Sequence, residues 1–386
     1  MKRYDAIVVG SGPAGSTTAY RLATAGARVL LLDRARFPRD KPCGGGVTLR
    51  AVKEIPFAID PVAEQVVTTA ELRLGFAKTV ERGRGPLAYM TQRRRLDHFL
   101  AEKAAAAGAD LRDGMKVATV EGTTVTANGE RFSADAIVGA DGVNGVSARA
   151  LALGGNKTVG VALEANVANR KIDASRYRGR FVLELGTVPG GYGWVFPKGD
   201  HVNVGVGGWE TEGPRLRTHL EELCREHRIR LGDLEDVRGY RLPCRAPDSR
   251  LSRGRALLVG DAAGLIDPLT GDGMFEAYLS ARFAAEEIRS LLGGKVGELD
   301  GYGTRLTRHL AVHLWASWSL KAALERFPRT AFALAANPPV WSVVEKLVTG
   351  EVRDVRAARG LARAPLKALA LLGRAAGDPG AAFRGA

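Results

Sequence analysis

Cysteine is scarce in this chain, and long apolar runs are missing. Only Cys43, Cys224 and Cys244 occur among 386 residues. Three thiols make no disulfide framework, so a reducing cytosol is the expected compartment. No uninterrupted apolar stretch is long enough to span a bilayer. The opening MKRYDAIVVG has too short an apolar run for a signal peptide and reads directly into a structural motif. Metal-ligand patterns are missing too. His309 and His313 stand four apart on an expected helix, but LAV lies between them, so the H-E-x-x-H pattern is not met. Cys224 and Cys244 lack ligand spacing, and no repeating acidic ligands follow the GDG at 271–273. No metal is expected. The basic charge comes with no recognition module, so no nucleic-acid partner is expected either.

What is present is an ordinary globular composition, 45% hydrophobic and 25% charged, long enough for a large core and two domains. Net charge is +14, and thirteen Lys/Arg against five Asp/Glu from residue 301 onward supply +8 of it. That end would attract an anionic surface or ligand. Arg356, Arg359, Arg363 and Lys367 recur at spacings of three and four, with Leu366, Leu369 and Leu372 as an apolar side. Pro365 should bend or break this helix. Two readings fit: a helix lying on the inner face of an anionic membrane, or a surface helix packed on its own domain.

YDAIVV (4–9) is an apolar run ending in glycine, the helix-period GPAGSTTAYRLATAG stops at Gly26, and RVLLLD (28–33) is a second apolar run. Strand, helix and strand make a βαβ unit with a parallel sheet. LAYMTQ reads as a strand and RRRLDHFLAEKAAAAG as a helix. An alternating stretch then turns at Asn128-Gly129, a hairpin signal, and becomes a buried run at 136–140. From about 158 to 206 polar residues alternate with apolar ones, as in one-sided antiparallel sheets. RALLVGDAAG (255–264) returns to a buried strand, a helix follows over about 273–292, and the rest is mostly helical. The expected fold is α/β. A discontinuous Rossmann-like domain (1–60, 86–155 and 245–295) carries an inserted antiparallel β-rich domain (61–85 and 156–244) and a helical C-terminal region (296–386).

GSGPAG (10–15) fits G-x-G-x-x-G. It follows a strand, opens a helix and is followed by Asp33 at the next strand's end, which makes the match specific. Gly10 permits the tight turn, Gly12 lets a pyrophosphate reach the backbone, and Gly15 lets helix pack on sheet. Pro13 and Ala14 open the helix, whose N–H groups face the phosphates. Asp33 can accept from ribose hydroxyls, with Arg34 beside it. No second nucleotide fingerprint exists, because VGVGGW lies within a strand-like run.

Two later segments, GADGVNGVSAR (139–149) and GDAAGLIDPLTGDGM (260–274), follow in order. With the first motif they resemble the flavoprotein hydroxylase superfamily over about residues 4–289. That resemblance implies FAD. It places Gly260 and Asp261 at the ribityl chain, Pro268, Gly271, Gly273 and Met274 against the flavin, and Arg93, Asp141 and Gly142 as further contacts. Gly145 stands where the family usually has serine. A helix starting near Gly273 would point its positive end at the flavin carbonyl that gathers charge on reduction.

PGGYGWVFPKGDHVNVGVG (189–207) puts Tyr192, Trp194 and Phe196 on one face of a strand that Pro197 ends. The order Y-x-W-x-F-P, with PCGGG at 42–46, resembles the geranylgeranyl reductase family, which reduces isolated C=C bonds of isoprenoid chains. The resemblance implies a prenyl lipid or quinone substrate held by Gly45, Tyr192, Trp194, Phe196 and Pro197, and a reductant such as NADPH or ferredoxin. Gly44 and its neighbours would let chain and flavin approach closely. Cys43 would be a proton donor, a flavin contact or a gate, or else a small inert residue. The competing readings are a flavin monooxygenase, a flavin halogenase and a lipid-binding protein without turnover.

Overall fold

The computed structural model describes residues 2–155, 157–377, 380 and 383. The chain begins with β1 (Lys2–Val9), α1 (Pro13–Thr24), β2 (Val29–Leu32), β3 (Gly46–Thr48), α2 (Leu49–Val52) and β4 (Ala63–Val67). β5 (Thr69–Leu74), β6 (Lys78–Arg82), β7 (Ala88–Thr91), α3 (Arg93–Ala106), β8 (Asp110–Arg112), β9 (Val117–Glu121), β10 (Thr124–Ala127) and β11 (Glu130–Gly139) follow. After α4 (Ser147–Ala150) come β12 (Lys157–Ala168), β13 (Arg180–Leu185), β14 (Tyr192–Pro197), β15 (His201–Trp209), α5 (Leu216–Glu226) and β16 (Glu235–Arg245). β17 (Ser252–Arg253), β18 (Ala256–Leu258), α6 (Met274–Leu292), α7 (Gly301–Arg326), α8 (Pro328–Ala335), α9 (Pro338–Val348) and α10 (Arg363–Ala375) complete it.

β1 is apolar along its inner half because both of its edges are paired and both faces covered. β18, β11, β1, β2 and β8 lie side by side in parallel, with Val8 opposite Leu31 on one side and Val138 on the other. Continuous rather than alternating hydrophobicity is what such a buried parallel strand requires. The hairpin at Asn128-Gly129 forms with both residues left-handed, at φ 46° and 84°, as a tight turn between twisted strands demands.

A second sheet runs β16-β12-β15-β14-β13-β5-β6, antiparallel except where β13 lies parallel to β5. One face packs Val182, Val195, Val204 and Val206 against Leu216, Leu220 and Leu223 of α5. Truncating any one of these leucines to alanine costs about 2–5 kcal/mol. The opposite face carries Leu72, Leu183 and Leu185, which meet Leu324, Phe332, Ala336 and Trp341 of the C-terminal helices. Residues 61–85, read from sequence as one piece, divide. β4 joins β7 and β3 in a three-stranded sheet, while β5 and β6 edge the large one.

In the C-terminal region the prolines start helices instead of interrupting them. Pro328 and Pro338 occupy first-turn positions of α8 and α9, where a missing N–H has no partner to lose. Pro365 likewise falls in the first turn of α10, which begins only at Arg363; Arg356 and Arg359 lie before it in short turns, so the four cations do not share one helix face as expected. The apolar side of α10 is consumed internally: Leu369 is buried, and Leu366 and Leu372 pack beside Ala323, Ala331 and Val340. Arg356, Arg359, Arg363 and Lys367 stay exposed. Among the described residues no helix is long and apolar enough to cross a membrane.

Candidate active site

The three dinucleotide segments, the PCGGG loop, the aromatic strand and the C-terminal helices line one cavity of about 870 Å³. Its two ends differ in chemistry.

At the polar end Gly10 is left-handed, φ 102°, and a Cβ there would strike the Ala140 backbone. Gly15 faces inward rather than lining the cavity: a Cβ on it would collide with the Gly10 carbonyl. A Cβ on Gly12 would meet only the Arg39 guanidinium, at 3.7 Å, so this position opens onto the cavity. α1 starts at Pro13 with no side-chain cap, which leaves its N-terminal donors for an anion. Asp33 is already engaged. Its Oδ2 accepts from the Ser11 N–H (2.9 Å) and hydroxyl (2.8 Å), and its Oδ1 from the Ala35 N–H at 2.9 Å. Arg39 stands 3.5 Å from Asp33 and 2.7 Å from Asp97, and Arg93 grips Asp97 through two 2.7 Å bonds. Burial pushes the Asp97 carboxyl up, but Arg93 and then Arg39 outweigh it and hold it below the usual range. Arg93 thus reaches the cavity wall as part of a fixed pair, with Cys43 beside it. Arg34 lines the rim and is exposed.

Asp261 accepts from Lys41 Nζ at 2.8 Å and from the Tyr240 hydroxyl at 2.9 Å, and the Lys41 ammonium lies 4.5 Å from the Tyr240 ring centre. Burial raises this carboxyl, yet Lys41 and Tyr240 hold it net low. Asp141 turns inward: its Oδ2 accepts from the N–H groups of Val146 (2.7 Å) and Ser147 (2.9 Å), and from the Ser147 hydroxyl at 2.9 Å. A Cβ at residue 145 would collide with that carboxylate, which explains why glycine stands there.

Asp267 organises the loop before α6. Its Oδ1 accepts from the N–H groups of Leu269 (3.0 Å) and Thr270 (2.8 Å), and Gly271 is left-handed. The Tyr192 hydroxyl donates to the Thr270 carbonyl, tying the aromatic strand to this loop. Asp272 accepts from the Met274 N–H at 2.7 Å. Burial, and then Glu276, push Asp272 up to about 7. His313 sits between Asp267 (3.2 Å) and Glu276 (3.6 Å), with the Arg50 guanidinium 3.4 Å from its Nδ1. Burial pushes His313 down, but hydrogen bonds to Asp267 and Glu276 win and bring it up to about 9. His313, dismissed from sequence as a zinc ligand beside His309, here meets two carboxylates within 4.8 Å. A guanidinium at its other nitrogen makes the group an ion-pair cluster.

The PCGGG loop is shaped by contacts. A Cβ at Gly44 would lie 2.7 Å from the Phe196 ring. Gly45 is left-handed, φ 81°, and a Cβ there would strike the Thr91 carbonyl. Gly46 pairs in β3, where a Cβ would make only ordinary contact with Met90 at 3.8 Å. Cys43 is held at three points. Its N–H donates to Glu164 Oε1 (2.8 Å), its carbonyl accepts from Lys198 Nζ (2.7 Å), and its Sγ accepts from the Gly45 N–H at 3.4 Å.

Tyr192, Trp194 and Phe196 line the cavity in a row, with neighbouring ring centres 6.1 and 6.3 Å apart. Trp194 Nε1 donates to Asn203 Oδ1 at 2.8 Å, and a Cβ on the facing Gly205 would strike its ring. Pro197 is buried at the end of β14 and does not line the cavity, so the substrate role expected for it has no surface to act through. Beyond the rings the wall is Leu72, Phe181, Leu183 and Leu185 from the sheet, with Leu320, Leu324, Phe332 and Trp341 from α7, α8 and α9. Sequence reading missed these helical residues, along with Lys41, Tyr240, Glu164, Lys198 and Asn203. Only Lys41, next to PCGGG, carried a local signal.

The residues at the polar end fit a flavin dinucleotide. They offer a glycine turn open to the cavity, an uncapped helix start, and an aspartate, Asp261, exposed to the same space.

The family model described as FAD binding domain matches residues 3–311. Geranylgeranyl diphosphate reductase of Rhodobacter capsulatus is 32% identical over 328 residues, covering 77% of this chain and 78% of the relative. Menaquinone reductase of Mycobacterium tuberculosis is 30% identical over 381 residues, 91% of this chain and 93% of the relative. A geranylgeranyl bacteriochlorophyll reductase-like structure from Thermoplasma acidophilum shares the fold, with a TM-score of 0.79 at 23% identity, covering 96% of this chain and all of that one. The chain belongs to the FAD-binding-domain flavoproteins and, among them, to the geranylgeranyl reductase family, and is an FAD-dependent oxidoreductase.

Proposed function

We propose that this protein saturates isolated C=C bonds in a polyprenyl chain, carried on a diphosphate or on a quinone. One observation carries the reading: a single cavity runs from the dinucleotide turn, past three aromatic rings, to a wall of leucine, phenylalanine and tryptophan. An extended hydrocarbon gains about 0.8 kcal/mol per CH₂ buried on such a wall. Bound at the polar end, reduced FAD supplies a hydride. The residues do the rest. Trp194, fixed by Asn203, and its neighbours exclude water and present ring faces to the positive charge that develops on the more substituted carbon, worth about 2 kcal/mol when desolvated. Gly44 keeps a side chain out of the narrow approach beside Phe196. The reductant is NADPH or a ferredoxin, and exposed Arg359, Arg363 and Lys367, with Leu361 and Leu371, would meet an anionic membrane carrying the lipid.

The test is anaerobic photoreduction of the holoprotein, then addition of geranylgeranyl diphosphate or a menaquinone. Flavin reoxidation with a product that keeps two extra hydrogens in its isoprenoid chain after any quinol has been reoxidised in air supports the reading. Reoxidation only by oxygen, with a hydroxylated or halogenated product, replaces it by a monooxygenase or halogenase. Tight lipid binding without reoxidation leaves a carrier.

A further inference from the structure

β12 turns Gly160, Ala162 and Glu164 toward the cavity, on the face shared with the three rings. Among the described residues that this sheet contributes to the lining, Glu164 is the one carboxylate. An acid on a wall of glycine, leucine and aromatic residues is costly unless it is satisfied or neutral. Its Oε1 takes the Cys43 N–H at 2.8 Å. Asn203 also hydrogen-bonds Glu164 and holds Trp194 at 2.8 Å. Glu164 is therefore fixed between the thiol loop and the middle ring, where a chain threaded past the rings would lie against it.

Building on the reductase reading above, we propose that Glu164 in its acid form donates the proton that completes alkene reduction. The π pair of the alkene is replaced by two C–H bonds. One hydrogen is the hydride from the reduced cofactor, which is thereby oxidised by two electrons. The other is the carboxyl proton of Glu164, which is left as a carboxylate and regains a proton from water. Cys43 then serves as a positioning residue, since its backbone holds the Glu164 oxygen and its thiol is turned to the Gly45 N–H. The charges facing Glu164 are Lys198 from the β14–β15 turn, Asp40 from the loop before PCGGG, and Arg238 across the β16 pairing, itself bonded to Asp40 at 2.9 Å. Burial raises the carboxyl and Asp40 adds to it; Lys198 and the Cys43 N–H oppose without winning. The acid form therefore persists to higher pH than for an ordinary glutamate, and the proton is available below its pKa and lost above it.

Glu164→Gln keeps an oxygen for the Cys43 N–H and removes the proton. With the prenyl probe that the wild type reduces, flavin reoxidation should slow about 100-fold or more, in the range general acids contribute. FAD content and melting temperature should stay unchanged. Glu164→Asp should recover part of the rate, and the fall of the wild-type rate with rising pH should vanish in Glu164→Gln. Independently of turnover, the infrared difference spectrum of wild-type minus Glu164→Gln holoprotein should contain a carboxylic-acid C=O band that titrates above the ordinary glutamate range, apart from the Asp272 contribution common to both. Equal rates and pH profiles in wild type and Glu164→Gln overturn the inference, as does a pH dependence that disappears in Cys43→Ala but survives in Glu164→Gln. If the wild type reduces neither prenyl probe, the reductase reading falls first, and this inference with it.

Discussion

The two ends of the cavity are built on different principles. The polar end is made of backbone geometry and paired charges: Gly10 and Gly12 of the first turn, Asp33 with Ser11, Asp97 between two arginines, and Asp261 between Lys41 and Tyr240. The apolar end is made of bulk, contributed by two sheet strands and three C-terminal helices with no fixed pattern among them. A buried charge needs a partner at hydrogen-bond distance, so the polar end tolerates few residues at each position. An apolar wall needs only volume, so it tolerates many. The first end should fail abruptly under substitution, the second by degrees.

Gly15→Val is expected to have the largest effect. Its side chain has no space beside the Gly10 carbonyl, and forcing the turn aside should cost more than the roughly 1–3 kcal/mol of ordinary overpacking. Purified protein should be colourless; a yellow, FAD-loaded variant would break the comparison at its polar end. Cys43→Ala and Cys43→Ser should slow turnover less than Glu164→Gln does and retain FAD, because the backbone N–H that holds Glu164 remains and only the Sγ contact to the Gly45 N–H changes; flavin absorbance beside a single-turnover assay reads both. Unchanged turnover would assign the thiol to packing alone.

Leu324→Asp, at the other end, should weaken prenyl binding tenfold or more without changing flavin content, measured by titrating lipid against flavin fluorescence. The pH dependence separates the ends further. His313 is raised from about 6.5 to about 9. Its stabilisation is therefore full below pH about 6.5 and lost as pH rises through about 9. The melting-temperature difference between wild type and His313→Gln should be largest near pH 6 and shrink toward pH 10, an order of magnitude in proton activity beyond the folded value, roughly. Leu324→Ala, which adds no titratable group, should show no such trend against wild type over that range. The smallest effect is expected for Gly46→Ala, within about 1 kcal/mol, because its Cβ has ordinary room. Gly44→Ala, two residues earlier, should cut turnover by forcing the Phe196 ring aside. Equal behaviour of the two would remove the steric account of the glycine run.

Much of the polar end was legible because its determinants are local. A left-handed glycine, a helix start and a strand-end aspartate are set within a few residues, so GSGPAG and Asp33 announce them. The three rings were legible for the same reason, since alternation along one strand fixes a face. Tyr240 and Glu164 were not legible, and Lys41 only through its place beside PCGGG. Each acquires its role from a partner far along the chain, 220 residues away for Lys41 and Asp261. Asp33 and Asp141, marked for cofactor contact, both line the cavity and also hold the turns that carry them.

Local sequence determined the parallel sheet, the dinucleotide turn and the row Tyr192, Trp194 and Phe196, because backbone sterics and strand periodicity act over a few residues. Tertiary structure alone decided that α7, α8 and α9 close the oily end, that α10 buries Leu369 against its neighbours, and that an acid stands beside the rings. Those outcomes depend on which surfaces meet when distant segments pack, and burial energy is indifferent to the order in which its side chains occur along the chain.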